Sequence, residues 1–229
     1  MVPRADGPSV SAVIADVGTL TVKPLLRGWM HLLCFFLSIP AGVLLILGAT
    51  DGRARAGAIV YAIGLTALFG VSAAYHRPRW SPKWRARFKR LDHGTIFVMI
   101  AGTYTPLCLV VLGGVMGTAM LISVWAGALT GVVLAAIGIA ERRIVGGVCY
   151  VALGWVAVVA SPALVARLTL TEVSLVFIGG ILYTVGVFVL GLKRPDPFPR
   201  IFGYHEIWHA MVVAAAICHF IAIHSAITA

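Results

Sequence analysis

A chain of 229 residues that is 60% hydrophobic and only 11% charged, with a mean hydropathy of +0.99, lies far from soluble domains, which are about half apolar and about a quarter charged. That composition excludes a water-exposed globule and makes lipid the solvent for most of the surface. The net charge of +10 does not point to nucleic acid, because no basic stripe is interleaved with aromatics on a foldable soluble face.

The first residues carry Arg4, Asp6, Pro8 and Asp16 with no uninterrupted apolar core before a cleavage site, so residues 1–27 are expected to form a mobile cytoplasmic tail rather than a signal peptide. Seven apolar runs follow, each near the ~20 residues that a helix rising 1.5 Å per residue needs to cross about 30 Å of hydrocarbon. They lie near Gly28 to Ala49, Ala56 to Tyr75, Asp92 to Leu112, Gly117 to Ile139, Ile144 to Val165, Glu172 to Leu192 and His205 to Ile227. The runs are continuously apolar, whereas a membrane β-barrel would show shorter segments of strict alternation. The expected fold is an all-α integral membrane protein, one domain over residues 28–229, built as a bundle of seven transmembrane helices.

Within the spans, Pro106 removes a backbone donor and crowds the carbonyl of Gly102, which predicts a kink that Thr103 and Thr105 can help to satisfy. Gly127 and Gly131 thin the fourth helix, and Gly146, Gly147 and Gly154 the fifth, for close helix packing. Cys34, Cys108, Cys149 and Cys218 sit in apolar runs without CxxC spacing and read as small buried hydrophobes, not as disulfides or thiolate ligands.

The basic residues order the topology. One set of segments collects Arg4, Lys23, Arg27, the stretch from Arg77 to Arg90, Arg142, Arg143, Lys193, Arg194 and Arg200; the other keeps Arg53, Arg55 and Arg167. The positive-inside rule then predicts a cytoplasmic N-terminus, an external C-terminus and an odd number of spans. The Arg77 to Arg90 loop is expected to attract anionic headgroups.

Ionisable groups at membrane depth are costly, so each is a functional candidate. His76 ends the second span with Ser72 four residues earlier on the same face; Asp92 opens the third; His205 and His209, also four apart, open the seventh. Charge topology puts all these ends on the cytoplasmic side. Three imidazoles and a carboxylate match a catalytic zinc site, in which three protein ligands leave the fourth position to water. The expected assignment is His76, His205 and His209 on Zn2+, Asp92 holding or deprotonating the water, and Ser72 bonding a ligand or the reacting carbonyl. Taken alone, Asp92 also reads as a helix N-cap. His93, about 100° round the helix from Asp92, reads as structural, and His31, His219 and His224 as buried or interfacial polar groups without ligand spacing. His205-Glu206-Ile207-Trp208-His209 also satisfies H-E-x-x-H, the zinc-protease pattern.

The segments Ser72-Ala-Ala-Tyr-His76-Arg77, Leu91-Asp92-His93-Gly94-Thr95-Ile96-Phe97 running on to Ala101-Gly102-Thr103-Tyr104-Thr105-Pro106, and His205-Glu-Ile-Trp-His209 resemble the haemolysin III family, the bacterial branch of the progestin and adiponectin receptor superfamily. The resemblance covers the chain from Lys23 onward and implies a seven-helix, multi-pass protein of the plasma membrane with zinc on the three histidines. Members of the wider superfamily resemble ceramidases, which cleave a lipid amide with zinc-activated water; bacterial members are named for haemolysis and linked to membrane homeostasis. Many relatives carry Glu-x-x-Asn-x-x-x-His before the first helix, whereas Lys23 to His31 here offers only His31. The leading expectation is a zinc-dependent hydrolase of a lipid amide or ester, with membrane lipids as partners. Its rivals are a zinc-stapled membrane regulator or receptor, a cytolytic haemolysin and, more weakly, an intramembrane protease.

Overall fold

The computed structural model describes residues 23–228, so residues 1–22 of the expected tail lie outside the described residues. Seven helical segments are long and apolar enough to cross a membrane, in agreement with the sequence. They are built from α1 (Trp29–Gly48), α2 (Gly52–His76), α3 (Pro82–Pro106, continued by a π-helical turn over Leu107–Leu112), α4 (Gly114–Ala136), the pair α5 (Arg143–Gly154) and α6 (Ala157–Arg167), α7 (Leu170–Leu192) and α8 (Tyr204–Thr228). Among the described residues the only β feature is a single bridge between Phe198 and Phe202.

Helix starts follow local chemistry. The Asp51 carboxylate accepts from the Ala54 amide at 2.7 Å to cap α2, and Thr169 with Glu172 forms a reciprocal capping box on α7. Consecutive helices pack on one another, and α1 closes the ring against α8. The spans of α2 and α3 are more than half buried and the other five a third or less, so these two helices form the centre and the rest wrap them. Lipid then covers outward apolar side chains such as Leu44, Ile122, Ile144 and Phe188.

Two expectations need correction. The third helix begins at Pro82, not at Asp92: the apolar run starts only near Asp92, but nothing between Lys83 and Leu91 breaks a helix. Pro82 sits in the first turn, where its missing N–H costs nothing. Most of the stretch expected as a basic loop is therefore helix, and Asp92 lies about three turns inside α3 rather than at its N-cap. The fifth span, expected as continuous, breaks between Gly154 and Ala157. Tyr104 fills the break: its hydroxyl donates to the Gly154 carbonyl at 2.6 Å and accepts from the Ala157 amide at 2.6 Å, so the exposed backbone groups are satisfied by a side chain from α3.

Pro106 does disturb its helix, which leaves α-geometry for a π-turn at the next residue. Thr103 and Thr105 donate to the carbonyls of Met99 and Ala101. Gly131 faces the Phe97 ring so closely that a Cβ would lie 2.2 Å from it, and Gly127 meets Leu153 at 2.7 Å, which is the close packing expected of α4. All four cysteines are unpaired.

Most of the basic residues gather at one end of the bundle, whereas Arg53, Arg55 and Arg167 lie at the other. Lys23 donates to the Arg77 carbonyl at 2.8 Å, the Leu25 and Leu26 amides donate to the carbonyls of Arg200 and Ile201, and Lys89 and Arg90 meet Glu141 at 2.6 and 3.5 Å. Burial pushes the Glu141 carboxyl up, but Lys89 and Arg90 outweigh it and hold the group below its ordinary range, so it is charged at neutral pH.

Candidate metal centre

The site is assembled at the basic end by register. Gly57 lies against Pro106 and Gly64 against Met99; extended along antiparallel α2 and α3, this pairing puts Ser72 level with Asp92. The Ser72 hydroxyl lies beside the Asp92 carboxyl. His76 is one turn nearer the basic end.

The first turn of α8 is tied down by its own preceding loop. Asp196 accepts from the Tyr204 amide at 2.9 Å and Glu206 from the Gly203 amide at 2.9 Å. The other Glu206 oxygen pairs with the Arg27 guanidinium just before α1. That ion pair is almost fully buried on the Glu206 side and anchors the start of α1 to the start of α8. At Gly28 the backbone has φ +78°, and a Cβ would stand 2.8 Å from the Cβ of His76; only glycine meets both demands. So α1 enters the bundle flush against the end of α2.

The outcome is a cluster of imidazoles. One ring nitrogen from each of His76, His205 and His209 lies within 4.8 Å of the other two, a set that could hold a metal ion. The Nε2 atoms of His76 and His205 are 3.3 Å apart. Metal–nitrogen bonds of about 2.0–2.1 Å in a tetrahedron place neighbouring ligand atoms about 3.4 Å apart, so this pair already has the required spacing. His76 and His209 are buried. The donor set holds no thiolate, and neutral imidazoles are the form that binds a divalent ion.

Of the residues singled out in the sequence, His76, His205 and His209 come together. Asp92 and Ser72 pair with each other one turn deeper, and Asp92 is not part of the mutually close set. His93 donates from Nδ1 to the Lys89 carbonyl at 2.8 Å, a structural role as expected. His219 lies away from the cluster: its Nε2 donates to the Val176 carbonyl at 3.0 Å, in a slot that Gly179 leaves open.

His31, expected only as a buried or interfacial polar group without ligand spacing, is buried and belongs to the cluster. Its ring stacks on His209, with centroids 4.0 Å apart and planes 8° from parallel, and meets Phe69 edge-on at 5.1 Å. It is buried with both ring nitrogens lacking a hydrogen-bond partner among the described residues. Spacing along one helix could not reveal it, since His31 has no partner on α1. The usable signal was its place in the first turn of a span beginning at the same end as His205.

Both Glu206 oxygens are engaged, one by Arg27 and one by the Gly203 amide. The residue that H-E-x-x-H would use as a base thus serves to fix the end of α8.

The haemolysin-III related family model matches residues 20–220 of the chain, a stretch that contains His31 and the three histidines of the candidate metal set. The chain belongs to the haemolysin III family. It is 34% identical over 184 residues to Hemolysin-3 of Bacillus cereus, covering 79% of this chain and 80% of that protein. It is 32% identical over 193 residues to a Hemolysin-3 homolog of Bacillus subtilis (strain 168), covering 83% and 87%. The human monocyte to macrophage differentiation factor is similar at 29% identity over 197 residues, covering 82% and 79%, which relates this haemolysin III protein to the progestin and adiponectin receptor superfamily. Family and fold together make it a multi-pass membrane protein with seven candidate spans.

Proposed function

We propose that this haemolysin III protein is a zinc-dependent membrane hydrolase acting on a lipid amide or ester, with zinc on His76, His205 and His209. The observation that carries the reading is the convergence of three ring nitrogens from α2 and α8 within 4.8 Å, with an acid and a hydroxyl one turn deeper. When bound, zinc polarises a carbonyl and makes water nucleophilic near neutral pH.

The remaining chemistry belongs to the chain. The Asp92 carboxylate takes a proton from the attacking water and returns it to the departing amine or alcohol. Ser72, buried beside it, donates a hydrogen bond that fixes which carboxylate oxygen faces the reacting atoms. His31 backs the His209 ring with a flat apolar face and holds its orientation. The apolar helices around the cluster exclude bulk water, and a substrate acyl chain remains in hydrocarbon while its polar linkage reaches the site.

The experiment is hydrolysis of fluorescent ceramides, acyl amides and lysolipids by purified protein, with and without a chelator. Metal-dependent release of fatty acid from one class supports the hydrolase. No release by folded, zinc-loaded protein sinks it and leaves the second reading, a membrane regulator in which the metal staples α2 to α8. The near-complete burial of His209 beneath His31 favours that alternative.

We also propose that the basic end is cytoplasmic, which puts the C-terminus of α8 outside. A cysteine at Ser81 is expected to react with a membrane-impermeant reagent only from the cytoplasm and one at Thr228 only from outside. Labelling of both from one face would refute the orientation.

A further inference from the structure

A groove of about 810 Å3 runs along the lipid-facing side of α1 and α2. Its walls are apolar, formed by Leu32, Phe35, Ile39, Val43, Ile63 and Val71. It exists because small residues let the helices meet closely at its floor: a Cβ on Gly42 would lie 2.8 Å from Ala62, and one on Gly70 would lie 2.8 Å from the Phe35 ring. The Ser38 hydroxyl donates to the Phe35 carbonyl at 2.8 Å and lies 3.0 Å from the Thr66 hydroxyl, whose proton it can accept, so it is occupied. From Leu32 to Ile46 the groove follows α1 for roughly 21 Å at 1.5 Å per residue, more than the ~15 Å of hydrocarbon in one leaflet.

One end of this channel is strongly charged. Arg77 lines it, and its guanidinium lies over the Trp29 indole at 3.8 Å. That stack fixes the plane of the fork while leaving its edge N–H groups free to bind two oxygens at once. Among the described residues Arg77 has no carboxylate partner; the ion pairs are those of Arg27 with Glu206 and of Lys89 and Arg90 with Glu141. Lys23 is anchored on the Arg77 carbonyl at 2.8 Å. Burial pushes the Lys23 ammonium below its ordinary pKa, and Arg77, Arg27, Arg85 and Arg79 push it the same way, so positive charge is concentrated at this end of the groove.

We propose that this groove binds one phospholipid with an anionic headgroup, its phosphate on Arg77 and Lys23 and one acyl chain between α1 and α2. Apolar walls alone would accept any lipid. The fork of Arg77 at the mouth selects a phosphate, and the surplus positive charge disfavours a headgroup that carries its own ammonium. The site is separate from the histidine cluster and stands whether or not the protein is a hydrolase. It lies on the same two helices that present His31 and His76, so an occupant would clamp α1 to α2 beside the candidate metal centre.

Native mass spectrometry of full-length protein released from phosphatidylcholine nanodiscs containing phosphatidylglycerol tests the proposal. Wild type is expected to retain one phosphatidylglycerol in preference to phosphatidylcholine, and soluble glycerol phosphate is not expected to compete, because the chain supplies much of the affinity. Arg77→Ala is expected to lower the preference at least tenfold, and Ala67→Phe, which fills the groove from a position facing lipid, to abolish retention. Arg87→Ala removes the same charge from the same end without touching the groove and is expected to leave the preference intact. Equal retention of both lipids by wild type would overturn the site. So would an Arg87→Ala loss matching that of Arg77→Ala, which would mean diffuse attraction. Displacement by glycerol phosphate, or retention unaffected by both groove variants, would overturn it as well.

Discussion

Stripping the metal is expected to lower the thermal midpoint of the wild-type protein by about 8–16 °C, and His76→Ala, His205→Ala and His209→Ala are each expected to show little further loss on chelation. The magnitude follows from linkage. A ligand at about 1,000 times its Kd that binds only the folded state contributes about 4 kcal/mol, and each kcal/mol moves the midpoint of a chain of this size by about 2–4 °C. The three ring nitrogens come from two helices, α2 and α8, so a metal held there would join elements separated by most of the sequence. Loss of one imidazole from a three-residue ligand set is expected to reduce bound zinc from about one per chain to a small fraction in each variant. His31→Ala is expected to weaken binding by about 10- to 100-fold, the usual cost of losing a group that orients a ligand. His31→Phe, which keeps the flat face against His209, is expected to retain most of the affinity. Elemental analysis and unfolding curves with and without chelator give both readouts. Unchanged metal content and midpoint in all three alanine variants would remove the site.

Asp92→Asn is expected to reduce turnover of the responsive lipid by about 100-fold or more while the metal stays bound, because the amide keeps the size and hydrogen bonding of the carboxyl but cannot take a proton. Ser72→Ala is expected to act in the same direction more weakly, since it removes a partner of Asp92 and not the proton acceptor itself. Asp92 stands in the interior of α3, so no helix cap is lost and stability changes modestly. That separates this result from the ligand variants, which lose metal, turnover and stability together. Turnover unchanged in Asp92→Asn would end its proposed role. Cleavage of a transmembrane peptide that disappears in Glu206→Gln would favour the protease, although both Glu206 oxygens are already bound.

Hydropathy made the spans legible because lipid imposes a single requirement, about twenty apolar residues with all backbone groups paired internally. It located the ends of α1, α7 and α8 closely and failed where a helix is not apolar. The first ten residues of α3 are basic and interfacial, and only their freedom from helix breakers marks them as helix. The break at Gly154 has no signal in its own segment, because the side chain that satisfies its backbone groups, Tyr104, lies on another helix.

In the site, the histidines at helical spacing could be read from one helix at a time, and charge topology supplied the common end. His31 required knowing that α1 closes the ring against α8, a tertiary fact with no local signature. The depth of Asp92 needed the α2–α3 register, which is set by close approaches at Gly57 and Gly64.

The most direct test is X-ray absorption at the zinc edge of the purified full-length protein. Three imidazole nitrogens at about 2.0–2.1 Å, one further oxygen, and loss of this signal in His209→Ala are the expected result. A sulfur shell, or an unchanged spectrum in His76→Ala, His205→Ala and His209→Ala, would contradict a metal held by these three residues.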